Sequence, residues 1–333
     1  MPRRTRPRRG SLQFYPRKRA KKVVPRFKSW PVADATVPLG FYGYKAGMTH
    51  AILTDARPKT PTSGQDVFVP LTVIETPPLY VFGVRAYRYD PNKGILAATE
   101  VWAKDLPKHF DRRITPPKNG HGDVSKIEAM LGDIVDIRLL VATQPHKIPA
   151  LGKKTPDIGE IAVGGKSVDE KFKFASGVLG SEIRIKDIFQ PGEQIDVKAV
   201  TKGKGFQGAV KRFGVFEFGH KKEKTKRGVG ALGPFFKGKV FWEVPRPGQM
   251  GFHTRTEYNK LVVIVGENGE PPITPKGGFL HYGEVKNDYI AVMGSVPGPA
   301  KRIVGLRKAI RPNKHPFQFG QIKYISLESK QGV

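Results

Sequence analysis

Short apolar segments recur along most of the chain, and turns rich in Gly and Pro separate them. The clearest segment covers residues 134–143, where apolar side chains from Val135 to Val141 alternate with polar ones. An alternation with a period of two is typical of a β-strand with one buried face. Strands are therefore predicted at 49–54, 67–75, 79–89, 134–143, 157–163, 183–188, 192–200, 261–265, 289–293, 302–308 and 324–327.

Two short sequences match the capping box that begins many helices. In each, a serine is followed three residues later by a glutamate: Ser125 with Glu128, and Ser167 with Glu170. The two side chains together satisfy backbone amides at the helix start. The second box also opens an amphipathic pattern, which predicts a helix ending at Gly180. Its apolar stripe consists of Val168, Phe172, Ala175 and Leu179.

The order of these elements predicts a mainly β fold with an α+β insertion. Short strands separated by turns favour a small barrel or sandwich. The simplest arrangement is one β-barrel interrupted twice, by the insertion and by a long irregular segment, and such segments are usually functional or disordered. The predicted parts are a basic N-terminal extension at 1–31, barrel parts at 32–94, 181–200 and 261–333, the α+β insertion at 95–180 and a basic loop at 201–260.

The positive charge of the chain is concentrated in the extension and the loop. The 333 residues carry a formal net charge of +29. Residues 1–30 contain 12 Lys and Arg and no acidic residue, while residues 201–260 contain 14 Lys and Arg against 4 acidic residues. Clustered cations of this kind indicate a polyanionic partner and are typical of nucleic-acid binding. The extension has too few apolar residues to fold alone, so it is expected to order only against a partner.

Several classes of protein are disfavoured by what the sequence lacks. The chain has no cysteine, which excludes disulfides, a thiol nucleophile and a cysteine-ligated zinc site. No apolar run approaches the ~18 residues needed to span a bilayer. Five prolines within residues 1–31 oppose an amphipathic targeting helix. We therefore expect a mature cytoplasmic protein without membrane association.

Catalytic motifs are also missing. The eight histidines are scattered, and the sequence contains no HExxH, GxSxG or Walker pattern. Acidic residues are sparse where the basic ones gather, which disfavours a Mg²⁺-dependent nuclease. The sequence therefore predicts no catalytic residue, no metal, no cofactor and no small-molecule substrate.

One glycine-rich motif admits more than one interpretation. Residues 203–208, Gly-Lys-Gly-Phe-Gln-Gly, match the GxGxxG pattern of dinucleotide sites and follow a predicted strand. Residues 209–214 are too few for the helix that would hold a pyrophosphate, and no βαβ alternation surrounds them. We favour close approach of the backbone to nucleic-acid phosphates, with Lys202, Lys204, Lys211 and Arg212 as donors. A plain turn with solvated lysines is the third interpretation.

Aromatic residues are interspersed with the cations of the loop. Phe213, Phe216 and Phe218 are candidates for the core of a strand, which we favour over base stacking for the last two. Other aromatics alternate with Gly and Pro, and exposed rings on a basic loop suit stacking on unpaired bases or wedging between RNA segments. These are Phe235, Phe236, Phe241, Trp242 and Phe252; for Phe241 and Trp242, packing within the base of the loop is an equal alternative.

Longer stretches of the sequence resemble the ribosomal protein L-three family of the large ribosomal subunit. The resemblance rests on residues 201–214, 224–228, 232–235 and 248–260 and, for the archaeal and eukaryotic branch, on 9–20, 25–31 and 43–50. It implies a translation-factor-type β-barrel with an α+β subdomain, and a tail and a loop that enter large-subunit rRNA. It also implies that the loop tip approaches the peptidyl transferase centre and helps to arrange the A-site region without doing the chemistry. A role in subunit assembly and contacts with neighbouring large-subunit proteins are further implications.

The candidate rRNA-binding residues are the cations, amides and aromatics of the tail and the loop. They are Arg3, Arg4, Arg6, Arg8, Arg9, Arg17, Lys18, Arg19, Lys21, Lys22, Lys202, Lys204, Gly205, Phe206, Gln207, Lys211, Arg212, His220, Lys221, Lys222, Lys224, Lys226, Arg227, Phe235, Phe236, Lys237, Lys239, Arg246, Gln249, His253 and Arg255. Phe235 and Phe236 are the candidate loop tip. The modest length favours an archaeal type.

Two positions depart from the pattern of the family. Its archaeal and eukaryotic members commonly have a tryptophan at the tip, where this chain has Phe235; a phenyl ring still stacks but lacks the indole N–H donor. Eukaryotic members often carry a modifiable histidine at the position of Lys226, so that modification is not expected. Two other classes stay open: a nucleotide-dependent or RNA-modifying enzyme built on residues 203–208, and a chromatin-like DNA-binding protein.

Overall fold

The computed structural model describes residues 8–116, 123–219, 224, 226–233 and 238–332. Three α-helices lie in this part of the chain: α1 Ser125–Glu128, α2 Val168–Val178 and α3 Ala209–Phe213. The strands are β1 Gly40–Asp55, β2 Asp66–Glu75, β3 Leu79–Asp90, β4 Gly94–Trp102, β5 Ile134–Ala142, β6 Ile158–Ala162, β7 Glu182–Ile183, β8 Gln194–Val200, β9 Phe206–Gln207, β10 Gly248–Gln249, β11 Thr254–Gly266, β12 Tyr289–Met293, β13 Ile303–Lys308 and β14 Phe319–Ile325. The predicted mainly β character is confirmed.

Cα packing divides the chain into two compact units. The sheet unit comprises Val23–Ala199 and Arg255–Val333. The tail–loop unit comprises Met1–Lys22 and Val200–Thr254. The tail–loop unit therefore joins two stretches that lie far apart in the sequence.

A seven-stranded sheet in the sheet unit has the order β13-β8-β11-β12-β2-β1-β14, and β13 pairs with β1 as well. These pairings connect six of the strands into a ring. The sixteen-residue β1 makes the connection because it has two partners along one edge: Gly40 lies opposite Arg307 of β13, and Ala51 lies opposite Ile325 of β14. The apolar side chains of β1 and its neighbours form the core, with Phe41 and Leu53 almost fully buried.

The second sheet has the order β4-β3-β5-β6, and β7 pairs with β3. The strand β3 lies within the predicted segment 32–94, but it pairs with β4, β5 and β7. The helix α2 packs on β5 and β3 through Phe172 and Ala175, which belong to the same core cluster as Ile137 and Leu139.

The start of α2 follows the predicted capping box. The Glu170 amide donates to Ser167 Oγ at 3.2 Å, and the helix begins at the next residue after Ser167. The prediction for Ser125 was wrong. Ser125 is the first residue of the four-residue α1, Val124 occupies the cap position, and no side chain caps this helix.

The predicted strand at 183–188 was also largely wrong. Only β7 forms there, and a 3₁₀ turn at Ile185–Asp187 follows it. The Asp187 carboxylate accepts a hydrogen bond from the Arg184 amide at 3.2 Å, and this local bond stabilises the turn in competition with a strand. Among the described residues, no helix has the length and the apolar composition that crossing a membrane requires.

Candidate nucleic-acid interface

The loop of the tail–loop unit starts and ends on two segments that run side by side. The Lys204 amide donates to Met250 O and the Met250 amide donates to Gly205 O, each at 2.9 Å. The Thr201 amide donates to His253 O at 3.0 Å. The antiparallel strands β9 and β10 continue this pairing. We call these two paired segments, residues 201–207 and 248–253, the loop root.

Two glycines of the loop root are required by the conformation of the backbone. Gly251 has φ +72°, and a Cβ there would lie 2.1 Å from Lys202 O. Gly205 has φ +67°, but a Cβ there would meet nothing within 4 Å. Gly208, at the start of α3, has an ordinary φ of −68°, and a Cβ added to it would likewise find open space. Neither the backbone conformation nor the described neighbours of Gly208, the last glycine of the GxGxxG motif, therefore require a glycine there.

The helix after the motif has only five residues. It ends at Phe213 because Gly214 adopts a left-handed conformation at φ 67° and its amide bonds back to Val210 O. The prediction that residues 209–214 are too few for a pyrophosphate-binding helix is confirmed. The short helix instead places Phe213 toward the tail, with 7% of its surface exposed.

The tail packs against the loop through stacked rings and guanidinium groups. The Tyr15 ring stacks on Phe213 with centroids 6.1 Å apart, and it meets Trp242 edge-on at 5.2 Å. The Arg17 guanidinium lies 4.4 Å from the Phe213 ring centre. A Cβ on Gly10 would lie 2.4 Å from the Phe213 ring. The loop is therefore the partner against which residues 8–22 pack.

Arg212 links three separate stretches of backbone. Its Nε donates to Gln249 O at 3.0 Å, Nη1 donates to Arg246 O at 2.7 Å, and Nη2 donates to Arg17 O at 3.4 Å. Burial, and after it the charge of Arg17, lower the pKa of the Arg212 guanidinium from its ordinary value. The hydrogen bonds of this predicted phosphate donor thus hold the tail, α3 and the loop root together.

Besides Arg8, whose Nη2 donates to Glu243 O at 2.6 Å, four other predicted site residues have partners within the tail–loop unit. These contacts hold side chains that the sequence predicts to bind RNA. The same residues therefore stabilise the structure of the surface on which they lie. They are Gln207 Nε2 donating to Lys204 O (2.5 Å), Gln249 Nε2 donating to Gly251 O (3.0 Å), His253 Nδ1 bonded to Lys18 O (2.9 Å) and an ion pair between Arg227 and Glu217.

Most of the described candidates lie at the surface. Among the described residues of the tail–loop unit, Glu217 and Glu243 are the only acidic ones, and Glu217 pairs with Arg227. The structure brings together a cationic surface with few carboxylates to neutralise it. The exposed candidates are Arg8, Lys18, Arg19, Lys21, Lys22, Lys202, Lys204, Gly205, Phe206, Lys211, Lys224, Lys226, Arg227, Lys239 and Arg246; Arg9 and Arg255 are half-buried, the latter in β11.

The prediction of strand core for Phe216 and Phe218 was wrong. Neither residue lies in a strand, and Phe216 is 52% exposed, with the Arg9 guanidinium 4.4 Å from its ring centre. Gly214 and Gly219 flank this stretch and interrupt the extended backbone. The Phe218 amide donates to Lys226 O at 2.9 Å, which pairs this stretch with the outgoing chain.

Tyr15 is the residue that the sequence interpretation missed. It contacts both Phe213 and Trp242, although nothing in its local sequence distinguishes it from an exposed tail residue. It lies between Phe14 and Pro16, in a stretch without a periodic pattern of apolar residues. Only the distant aromatic partners reveal its role.

Several candidates lie outside the described residues. They include both residues of the candidate loop tip and much of the charge around it. These candidates are Arg3, Arg4, Arg6, His220, Lys221, Lys222, Phe235, Phe236 and Lys237. In the described part of the chain, no group of three or more His, Cys, Asp or Glu side chains could hold a metal ion.

Comparison with known proteins gives matches over nearly the whole chain. The model of the family described as Ribosomal protein L3 matches residues 1–332. The large ribosomal subunit protein uL3 of Methanococcus vannielii is 52% identical over 331 residues, and the match covers 98% of each chain. The proteins of the same name from Archaeoglobus fulgidus and Methanocaldococcus jannaschii are 50% and 49% identical over 330 residues, again with 98% of each chain covered.

Proposed function

Since the chain belongs to the ribosomal protein L3 family, a structural and non-enzymatic component of the large ribosomal subunit, we propose that its tail–loop unit is the main rRNA-binding part. The predicted family is confirmed, and the archaeal relatives agree with the expected archaeal type. The alternative of an enzyme built on residues 203–208 is wrong, because this family is not enzymatic. The alternative of a chromatin-like DNA-binding protein is dropped, because the chain belongs to a ribosomal family.

The observation that carries the proposal is the exposed charge of the tail–loop unit. Its cations face outward from a framework held by Arg212, Tyr15 and Phe213, while few carboxylates lie among them. Cations that lack carboxylate partners attract phosphates, and phosphate contacts position a protein on nucleic acid. The outward cations therefore bind rRNA, and the inward side chains keep the binding surface in shape.

The finer features of the proposal extend the same division of roles. The ring of six strands in the sheet unit is the translation-factor-type barrel, built from the segments 32–94, 181–200 and 261–333, except that β3 pairs with the strands of the insertion 95–180. The segments 1–31 and 201–260 are its two extensions. The loop and tail extend toward the peptidyl transferase centre. Phe235 and Phe236 at the tip help to arrange the A-site region, and the protein supports subunit assembly beside neighbouring large-subunit proteins.

Deletion of residues 220–250 tests the proposal. The sheet unit contains none of these residues, so it stays folded, while binding to deproteinised large-subunit rRNA weakens and the salt dependence of binding becomes shallower. Circular dichroism checks folding, and filter binding at several salt concentrations measures affinity. Full affinity and normal co-sedimentation of the deletion protein with large subunits would overturn the assignment.

A charge-matched pair of variants sharpens the test. Replacing exposed Lys224, Lys226, Lys239 and Arg246 by Gln removes four positive charges from the loop. The control replaces four exposed lysines of the sheet unit by Gln: Lys59, Lys93, Lys104 and Lys126. We expect the loop variant to reduce the slope of log affinity against log salt by about three, since each phosphate contact contributes about 0.7 to 0.9. The control variant should bind more tightly than the loop variant at low salt, and this difference in affinity should shrink as the salt concentration rises.

A further inference from the structure

A cavity of about 330 Å³ lies within the tail–loop unit, beside the loop root. Arg17 of the tail, Lys202 and Lys204 of the loop root and Arg212 of α3 line it, together with His253. None of the described residues that line the cavity is acidic. The cavity thus gathers four permanent positive charges from three parts of the unit without a counter-ion from its own walls.

Arg17 cannot move away from this cavity without losing its packing. Its guanidinium lies 4.4 Å from the Phe213 ring centre and 5.6 Å from that of Tyr15. Its Nε is buried and has no hydrogen-bond partner among the residues that the structure describes. A buried donor without an acceptor costs free energy, so a ligand that accepts from this atom is favoured.

Arg212 adds charge to the cavity but few free donors. Backbone carbonyls of Gln249, Arg246 and Arg17 accept from its three nitrogens. Burial, and after it the like charge of Arg17, lower the pKa of Arg212, and both side chains line the cavity. An anion in the cavity would reduce the repulsion between these like charges.

Lys202 and Lys204 supply mobile donors at the rim of the cavity. Both side chains are exposed and lie two residues apart on one segment of the loop root. A phosphate group has several acceptor oxygens, so it can accept from the fixed guanidinium of Arg17 and from both ammonium groups at once. A carboxylate has fewer oxygens and an uncharged ligand would leave the charges uncompensated.

We propose that this cavity is a phosphate-binding site shared by the tail and the loop root. One phosphate group there accepts hydrogen bonds from Arg17, Lys202 and Lys204 together. The inference rests on the proposed function in one respect: a backbone phosphate of rRNA is the source of the ligand within the subunit. A free polyphosphate ion has the same chemistry. A phosphate bound there contacts both the tail and the loop root, so it stabilises the position of one rRNA-binding segment relative to the other.

Titration of the full chain with inorganic pyrophosphate at low salt tests the site. The wild-type chain should bind it saturably in isothermal titration. The variant Lys202→Gln/Lys204→Gln should bind at least about tenfold more weakly, because it loses charge-assisted hydrogen bonds. The control Lys211→Gln/Lys239→Gln removes two exposed charges of the same unit that do not line the cavity, and it should bind like wild type. Equal weakening in both variants, or no saturable binding by wild type, would overturn the proposal.

The variant Arg17→Lys separates binding from packing. It keeps a positive charge but lacks the planar guanidinium and its buried Nε, so pyrophosphate affinity should fall while hydrogen exchange of the loop root stays close to wild type. Unchanged pyrophosphate affinity would show that Arg17 serves packing alone and would sink the shared site.

Competition with deproteinised large-subunit rRNA identifies the source of the phosphate. If an rRNA phosphate fills the cavity, pyrophosphate should displace rRNA from wild type more readily than from Lys202→Gln/Lys204→Gln. If pyrophosphate binds the cavity but rRNA affinity is the same for this variant and its control, the ligand is a free anion. In that second case the phosphate site stands, and the proposed function is judged separately by the loop deletion.

Discussion

Substitution of Gly251 by Ala should open the loop root, and the structure gives the size of the effect. An L-residue in the left-handed region costs about 1–2 kcal/mol, and Gly251 has φ +72°. The new Cβ would also lie 2.1 Å from Lys202 O, so the two segments must separate. Separation weakens hydrogen bonds of the ladder, such as that from the Lys204 amide to Met250 O, each worth about 1 kcal/mol. The total is about 3–4 kcal/mol of local stability.

Substitution of two other glycines of the loop root separates the conformational cost from the cost of the steric clash. Gly205→Ala meets the same conformational cost at φ +67° but no neighbour within 4 Å, so about 1–2 kcal/mol is expected. Gly203→Ala is the control, since Gly203 lacks a positive φ and its Cβ would make only an ordinary 3.7 Å contact with Phe252. Little change is expected there.

Hydrogen exchange of the intact chain, followed by mass spectrometry, measures the three variants. A loss of about 1.4 kcal/mol speeds exchange about tenfold when opening is in equilibrium. Amides of the loop root should therefore exchange roughly tenfold faster in Gly205→Ala and at least about a hundredfold faster in Gly251→Ala. Equal exchange in these two variants would refute the close approach of residue 251 to Lys202 O as the source of the extra cost.

Two further outcomes follow from single side chains. Tyr15→Phe should leave the tail as stable as wild type or more so, because the buried Tyr15 hydroxyl has no hydrogen-bond partner in the described part of the chain. Tyr15→Ala loses both ring contacts and should cost about 2 kcal/mol. Tryptic cleavage of the tail compares the two variants, and faster cleavage of Tyr15→Phe than of wild type would contradict the packing. Arg57, and then Thr62, hold the pKa of Asp55 below its ordinary value. The stability from Asp55 is therefore complete above about pH 4 and is lost as the pH falls through the lowered pKa, so Asp55→Asn should flatten the acid limb of denaturant midpoints against pH.

The sequence predicted the elements whose information is local. The alternation at Val135–Val141 and the pair Ser167 and Glu170 each specify a short element through neighbours in the chain, and both elements form where expected. Ser125 and Glu128 show the limit of the same rule. Their box matches the motif, but Val124 occupies the cap position, and α1 ends after four residues, before a 3₁₀ turn at Leu131–Asp133 that leads into β5.

The packing of the tail on the loop could not be predicted, because its partners lie about two hundred residues apart. Tyr15 and Phe213 carry no mark of each other in the sequence. Arg212 poses a different difficulty: an arginine in a Gly-rich basic run suits a phosphate contact and a backbone link equally well. Only the positions of the carbonyls of Gln249, Arg246 and Arg17 distinguish the two roles.

The joining of tail and loop has a consequence for the timing of synthesis. Lys18 bonds to His253, which is made 235 residues later. At about 5–20 residues per second, the tail waits roughly 10 to 50 seconds for the segment that will cover Tyr15 and Arg17. During that interval its cations are open to any RNA nearby, including the very ribosome that is translating it. Because the tail emerges first, the nascent chain can bind the RNA of its own ribosome before the loop that covers part of the tail has been made.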